Sequence, residues 1–146
     1  MEFPVSIRRF LPHREPMLMV DDVLRLDDQC IATSFEIKED NIFVENGFLN
    51  ESGLIENAAQ TCSGIVGKPY FDANKEGEDY KVLGYISRIK KTEIFKFPKV
   101  NSVLTTEGKL LSMHPIGEVY NCEMKCLTYS EGKLMAESSF SLIIQG

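Results

Sequence analysis

The stretch that decides the fold is GLIENAAQTCSGIVG, residues 53–67. Its apolar residues occupy positions 54, 55, 58, 59, 62, 65 and 66, which is the spacing of a helix with a wide apolar stripe. Ser52 is a suitable N-cap, and Pro69 is expected to end the helix. Small residues at positions 58, 59, 63 and 64 would let another backbone come close. The segment therefore predicts one long helix that is largely buried.

The chain before this helix predicts two strands. Residues 17–20 are an apolar run after Pro16, which forces an extended backbone and favours a first strand there. In residues 30–37, positions 31, 33, 35 and 37 fall on one face, which is typical of a half-buried strand. Asp28 and Gln29 provide a hairpin turn before it.

The chain after the helix predicts a continuous antiparallel sheet. Its runs of β-branched and aromatic residues are separated by Pro98, by residues 115–117 and by residues 130–132. The predicted strands are residues 82–89, 93–97, 102–113, 119–129 and 134–144, and polar residues 72–79 predict a surface loop. Early strands, one buried helix and a run of antiparallel strands predict an α+β architecture, with the sheet wrapped around one long central helix. The hot-dog fold has this order of elements.

Composition limits the class of protein. With 146 residues, 43% of them hydrophobic and 26% charged, the chain is expected to form a single domain over residues 1–146. Neither a signal sequence nor an apolar run long enough to span a membrane is apparent, so a cytoplasmic location is expected. The net charge is −6 and the basic residues are dispersed, which argues against nucleic acid as a partner.

The cysteines and histidines do not form a metal-binding pattern. The four cysteines lack CxxC spacing, and the two histidines are too scattered to complete a zinc site. We expect the cysteines to be reduced core residues, and no metal or organic cofactor is implied.

Two motifs carry a resemblance to a known family. Residues 10–23 read FLPHREPMLMVDDV, and residues 53–60 read GLIENAAQ. In this order they resemble the Leu-Pro-His-Arg motif and the central helix of hot-dog 3-hydroxyacyl-acyl-carrier-protein dehydratases. GYISRIKK at residues 84–91 and GKLMAES at residues 132–138 are similar to later elements of that family. The resemblance spans nearly the whole chain.

One segment departs from the family pattern. The family places a catalytic histidine in a His-Phe-Pro-Gly element before the helix, whereas residues 43–52 read FVENGFLNES, a shorter segment without histidine. This pattern is similar to a divergent branch of hot-dog dehydratase-like proteins associated with aryl polyene and related pigment-lipid pathways.

The chemistry of dehydration suggests roles for three helix residues. A base must remove the proton alpha to the thioester carbonyl, an acid must protonate the departing hydroxyl, and the enolate oxygen must be stabilised. The resemblance makes Glu56 the candidate acid/base, and the alternative is a surface carboxylate favoured by the helix dipole. Gly53 would let a thioester carbonyl approach the helix N-terminus, and Gln60 would hydrogen-bond Glu56 from position i+4. In the resembled family this carboxylate cooperates with the histidine across a dimer interface.

Other candidates have equally ordinary explanations. His13 lies in the first motif and is either catalytic or a structural member of its turn, while His114 is expected to be an exposed turn residue. Asn46 and Asn50 would orient a substrate hydroxyl or a water, or are simply loop residues. Aromatic and apolar side chains would line a substrate tunnel or only pack the core: Phe43, Phe48, Leu49, Tyr70, Phe71, Phe95 and Phe97.

Basic residues after the helix suggest a partner. Arg88, Lys90 and Lys91 are expected near the tunnel entrance, where they would bind the phosphopantetheine phosphate and the acidic acyl-carrier protein. Arg8, Arg9 and Arg14 would extend this group. The alternative is a solvated strand end.

Three functions follow from these residues. The first is dehydration of a 3-hydroxyacyl thioester on acyl-carrier protein, in fatty-acid or polyene-type lipid biosynthesis, by an enzyme without the usual histidine. The second is a non-catalytic acyl-carrier-binding subunit whose hot-dog partner supplies that histidine. The third is an acyl thioesterase. The first two predict a homodimer or a heterodimer with another hot-dog chain.

Overall fold

A computed structural model describes residues 2–66 and 83–145. Within them the chain forms one α-helix, a short 3₁₀ turn at Ile7–Arg9 and nine strands. The helix, α1, is Glu51–Val66. The strands are β1 Val5–Ser6, β2 Asp22–Leu26, β3 Cys30–Glu36, β4 Val44–Glu45, β5 Phe48–Leu49, β6 Leu83–Ile94, β7 Val103–Ile116, β8 Val119–Ser130 and β9 Lys133–Gln145. Pro69, Tyr70, Phe71, the loop predicted over residues 72–79 and residue 82 lie outside the described residues.

Seven of the strands form one antiparallel sheet in the order β1-β2-β3-β7-β8-β9-β6. The helix contacts β3, β7, β8, β9 and β6. The predicted α+β hot-dog architecture, with the sheet wrapped around one helix, is confirmed. β6 is the last strand of the sheet, so the side of β6 away from β9 is an unpaired edge within the described residues.

The core lies between the helix and the concave face of the sheet. Two glycines allow close approach there: a Cβ on Gly64 of α1 would lie 2.5 Å from Ile31 Cδ1, and one on Gly108 of β7 would lie 3.0 Å from Ile31 Cγ2. Ile31 is fully buried between them. The prediction that small helix residues would permit close packing is confirmed for Gly64.

The cysteines are free thiols, as predicted. Cys62, Cys122 and Cys126 are buried, and Cys30 is half-buried. Burial raises the pKa of the Cys62 thiol well above its usual range, because the thiolate would be formed in an apolar environment. No helix in the described part of the chain is long and apolar enough to cross a membrane.

The first predicted strand is wrong. Residues 17–20 belong to no strand: Met17 lies in a turn, and the next strand along the chain is β2, Asp22–Leu26. The reason is that side chains of the helix, rather than a neighbouring strand, bind the backbone of Met17 and Met19. Leu18, Met19 and Val20 are buried in this position. Residues 17–20 are called the strap below.

Two boundaries in the sheet also differ from the prediction. Residues 82–89 and 93–97 are predicted as separate strands, but the structure has one continuous strand, β6, over Leu83–Ile94. Its pairing with β9 contains two shifts of register. β7 continues through Pro115 to Ile116, and the turn follows at Gly117. β3 pairs with β7 only as far as Lys109, so within the described residues one edge of β7 is unpaired at Pro115, and the missing N–H costs no ladder bond there.

Candidate functional site

Glu56 lies in the second turn of α1 and is half-buried. Gln60, one turn later, donates from Nε2 to Glu56 Oε2 at 3.0 Å. The same amide donates to the Met17 carbonyl at 2.8 Å, and its Oε1 accepts from the Met19 N–H at 2.7 Å. The predicted hydrogen bond between Gln60 and Glu56 is confirmed. It ties the carboxylate to the strap.

Asn57 makes a second connection from the helix. It is 1% exposed, and its Nδ2 donates to the Met19 carbonyl at 2.7 Å. Its Oδ1 accepts from Thr106 Oγ1 at 2.6 Å, and that hydroxyl also lies 3.4 Å from Thr128 Oγ1. The sequence interpretation missed Asn57, although a polar residue in the middle of an apolar helix is a signal. Together with Gln60, Asn57 fixes the rotation of the helix and therefore the position of Glu56.

The helix begins two residues earlier than predicted, and its cap is different. Asn50, not Ser52, caps it: Asn50 Oδ1 accepts from the Gly53 N–H at 3.0 Å. The other side of the same amide donates to Glu45 Oε1 at 3.2 Å. Asn50 lies one residue before the first helical residue, Glu51, where an amide oxygen can reach the free N–H groups of the first turn.

A tight hairpin precedes the helix, in the segment that lacks the family histidine. β4 and β5 pair through Val44 with Leu49 and Glu45 with Phe48. The two turn residues, Asn46 and Gly47, have φ of 52° and 82°. Asn-Gly is the strongest short-range hairpin signal because both residues tolerate positive φ. The Asn-Gly pair is thus a local signal of the turn, and it explains Asn46 as a turn residue.

Gly53 is closely packed by its own chain. A Cβ at this position would lie 2.5 Å from Leu49 Cδ1 and 2.9 Å from Phe43 Cβ. The space above the glycine, where a thioester carbonyl was expected to approach, is therefore filled by two side chains. Its N–H is the donor to Asn50.

An apolar groove of about 620 Å³ opens between the hairpin, the start of α1 and the residues after β6. Phe48 and Phe97 are 38% and 43% exposed along it. It is lined by Glu45, Asn46, Phe48, Leu49, Asn50, Glu51, Lys96 and Phe97. The structure thus brings Asn46, Phe48 and Asn50 together at this groove, whereas Phe43, Gly53, Glu56 and Gln60 do not line it. We call it the hairpin groove.

The two histidines lie in different environments. His13 is half-buried, and its Nδ1 is buried without a hydrogen-bond partner within residues 2–66 and 83–145. His114 is exposed, as predicted, but it lies within β7, opposite Asn121, rather than in the turn. Neither forms a hydrogen bond with Glu56 in the described part of the chain.

The predicted carrier-protein residues lie on the edge strand β6 and are exposed. Two of them are paired with carboxylates: Lys90 with Glu123 at 3.0 Å and Lys91 with Glu93 at 2.7 Å. The Lys90 hydrogen bond is the main cause of a lowered pKa at Glu123, and Glu93 raises the pKa of Lys91. Their charges are therefore partly neutralised on this surface.

The N-terminal arginines are also engaged. Arg8 forms an ion pair with Glu15. Arg14 donates to the carbonyls of Leu11, at 3.1 Å, and His13, at 2.7 Å, and so stabilises the turn of the first motif. Residues 2–66 and 83–145 contain no group of three or more His, Cys, Asp or Glu side chains placed to hold a metal ion.

Solved structures with the same fold are similar over most of this chain. One is the dehydratase heterocomplex ApeI:P from Xenorhabdus doucetiae, with a TM-score of 0.73 and 17% identity, covering 97% of this chain and 92% of that one. A hypothetical thioesterase from Streptococcus pneumoniae TIGR4, solved with coenzyme A, has a TM-score of 0.65 and 14% identity, with coverage of 85% and 84%. An uncharacterized protein from Pyrococcus horikoshii has a TM-score of 0.65 and 16% identity, with coverage of 97% and 93%.

At these identities the structures establish the hot-dog fold. A comparison with curated proteins gives no significant match. The family model described as "ApeP-like: ApeP dehydratase" matches residues 5–144, and the chain therefore belongs to this family of hot-dog dehydratases.

Proposed function

We propose that this chain takes part in the dehydration of 3-hydroxyacyl thioesters held on an acyl-carrier protein, in fatty-acid or polyene-type lipid biosynthesis. The observation that carries the proposal is Glu56, a half-buried carboxylate on the central helix of a dehydratase-family fold, held by Gln60 at 3.0 Å. Glu56 is the proton-transfer group in this proposal, and Gln60 is its positioning residue.

A single carboxylate can carry out both proton transfers of the dehydration. The Glu56 carboxylate removes the proton alpha to the thioester carbonyl, and the electron pair left on that carbon forms the alkene as the bond to the β-hydroxyl breaks. The protonated Glu56 then returns the proton to the departing hydroxyl, which leaves as water. The carboxylate is regenerated, so these transfers require neither a metal nor an organic cofactor.

Gln60 suits this cycle because its Nε2 donates to Glu56 Oε2 and leaves the other carboxylate oxygen for the substrate. The amide is anchored at both ends by the strap, through Met17 and Met19. A carboxylate held in this way keeps one orientation during proton transfer, which favours a geometry close to that of the transition state.

A second arrangement is supported by the hairpin. The segment that carries a histidine in the resembled family forms the β4–β5 turn at Asn46 and Gly47, and contains none. The similar structure from Xenorhabdus doucetiae is a dehydratase heterocomplex. We therefore propose that the chain works as one of two hot-dog subunits, and that in a heterodimer the partner supplies an imidazole.

The exposed edge of β6 is the proposed contact between subunits. Its side away from β9 is unpaired within the described residues, and Tyr85 and Ile89 on this strand are 55% and 50% exposed. Unpaired edges and large exposed apolar side chains favour association. A strictly monomeric protein in light scattering at micromolar concentration would contradict this assembly.

The test is mass spectrometry of a 3-hydroxyacyl-carrier-protein incubated with the purified protein, alone and with a hot-dog partner subunit. Loss of one water with the chain alone would establish a complete enzyme. Loss of water only with both subunits would establish the heterodimer. Release of a free 3-hydroxy acid without alkene formation would identify a thioesterase and refute the proposed reaction.

A further inference from the structure

Three lysines from separate parts of the chain line a second, smaller cavity. This cleft, of about 50 Å³, lies beside the hairpin groove and is lined by Lys96, Lys99 and Lys133 together with Ser102, Ser130 and Glu131. Met135, which is 3% exposed, also lines it. None of these lysines belongs to the basic group expected from the sequence. We call it the lysine cleft.

The backbone holds the lysines in fixed places. Phe95 and Lys96 both donate their N–H groups to the Met135 carbonyl, at 2.8 and 3.2 Å. The loop carrying Lys99 is joined to the hairpin, because Leu49 donates to the Pro98 carbonyl at 2.9 Å. Val100 donates to the Gly47 carbonyl at 3.0 Å, which holds the other side of the loop.

Lys133 is fixed by the sheet. It is the first residue of β9 and pairs with Ser130 of β8. The three ammonium groups are therefore carried by anchored backbone rather than by a free loop. Such preorganisation lowers the entropy that a ligand must offset on binding.

The lysines of the cleft are not compensated by ion pairs among the residues that the structure describes. Within residues 2–66 and 83–145, none of Lys96, Lys99 and Lys133 forms an ion pair, whereas Lys90 and Lys91 do. Glu131 is the only carboxylate among the lining residues that the structure describes, so these residues carry a formal charge of 3 − 1 = +2, in a chain whose net charge is −6. An anion is attracted by this local positive charge even though the chain as a whole is negatively charged.

The lysine cleft and the hairpin groove are adjacent, because Lys96 and Phe97 line both. A ligand that combines an anionic group with a long, weakly polar chain is expected to reach both. Three ammonium groups suit a phosphate, which offers several charged oxygens to separate donors.

We propose that the lysine cleft binds the phosphate of the phosphopantetheine arm, and that the hairpin groove receives the arm or the acyl chain attached to it. The choice of ligand rests on the function proposed above, but the site is defined by its own charges and shape. It replaces Arg88, Lys90 and Lys91 as the principal phosphate contact.

The experiment compares two ligands that differ only in the phosphate, 3-hydroxyacyl-4′-phosphopantetheine and 3-hydroxyacyl-pantetheine, by calorimetry at low salt. The wild type is expected to bind the phosphorylated ligand on the order of 10-fold more tightly. In a variant with Lys96→Gln, Lys99→Gln and Lys133→Gln, the ratio is expected to fall to within about 2-fold. The preference should weaken as salt is added.

The matched control is Lys90→Gln with Lys91→Gln, which removes two lysines already paired with carboxylates. It is expected to keep the full phosphate preference. All five lysines are exposed, so both variants should retain the wild-type circular dichroism spectrum. A preference unchanged in the triple variant, or lost in the control, would overturn the inference.

The outcomes separate this inference from the proposed function. Dehydration without any phosphate preference would leave the function standing and remove the site. Phosphate preference without dehydration, alone or with a partner subunit, would support the site and refute the reaction. Inorganic phosphate should compete only weakly with the phosphorylated ligand. If the two bind with the same affinity, the hairpin groove contributes nothing to binding, which would also contradict the proposal.

Discussion

Gln60→Leu is the substitution that most sharply tests the connection between the helix and the strap. Gln60 makes three hydrogen bonds, to the Met19 N–H, the Met17 carbonyl and Glu56. Leucine has a similar volume and cannot replace any of them. The three losses are not equal, because the partners differ in their access to water.

The Met19 N–H carries most of the cost. Met19 is fully buried, so without Gln60 Oε1 at 2.7 Å its N–H is left without a partner. Such a group costs about 1–3 kcal/mol. Met17 is 43% exposed and Glu56 is half-buried, so water can replace the hydrogen bonds that their oxygens lose. The expected loss in the free energy of unfolding is about 2 kcal/mol.

The assay is urea unfolding followed by circular dichroism, at one fixed protein concentration because subunit association adds to apparent stability. Ser63→Ala is the matched control on the same helix, since within the described residues its hydroxyl bonds only the Ala59 carbonyl one turn earlier, at 2.9 Å. It should change the free energy by no more than about 0.5 kcal/mol. A Gln60→Leu variant as stable as this control would refute the role given to the strap.

Three further predictions concern the start of the helix and the outer face of the sheet. Gly53→Ala should destabilise the protein by about 1–3 kcal/mol in thermal or urea unfolding, because its Cβ would lie 2.5 Å from Leu49 Cδ1; an unchanged midpoint would contradict this packing. Asn50→Ala should cost about 1 kcal/mol as the helix cap is lost, whereas Asn50→Asp should cost much less; equal losses would refute the cap. The bond from Lys90 lowers the pKa of folded Glu123 below its ordinary value of 4.5, so this carboxylate stabilises the fold above the unfolded pKa, and that contribution is lost as pH falls through the lowered folded pKa. Unfolding of Glu123→Gln followed between neutral and acid pH should therefore show a shallower fall than the wild type, and parallel curves would contradict the assignment.

Local sequence relations predicted the fold and part of the site. The helical spacing of residues 53–67 and the period-two runs gave the hot-dog architecture, and the four-residue spacing of Glu56 and Gln60 gave their hydrogen bond. These succeed because helix and strand periodicity is set by neighbours along the chain. The resemblance of the two motifs to hot-dog dehydratases was confirmed by the family match over residues 5–144.

The parts that were not predicted depend on contacts between distant segments. The strap at residues 17–20 has the composition of a strand, but its backbone is bound by side chains about forty residues later in the helix. The ion pair between Lys90 and Glu123 on β8 also joins residues far apart in the sequence. The lysine cleft likewise joins three segments that the sheet topology brings together. The Asn46 and Gly47 turn is different, because its Asn-Gly signal is local and lies in the sequence itself.

The most direct test of the central claim is the dehydration rate of Glu56→Gln, measured by mass spectrometry of a 3-hydroxyacyl-carrier-protein in whichever assembly of the wild type is active. Glu107→Gln is the control, because Glu107 is an exposed carboxylate on β7 that is not among the lining residues of the hairpin groove or the lysine cleft. We predict a loss of about 100-fold or more for Glu56→Gln, and a rate close to wild type for Glu107→Gln. A Glu56→Gln protein that dehydrates at the wild-type rate would contradict that claim.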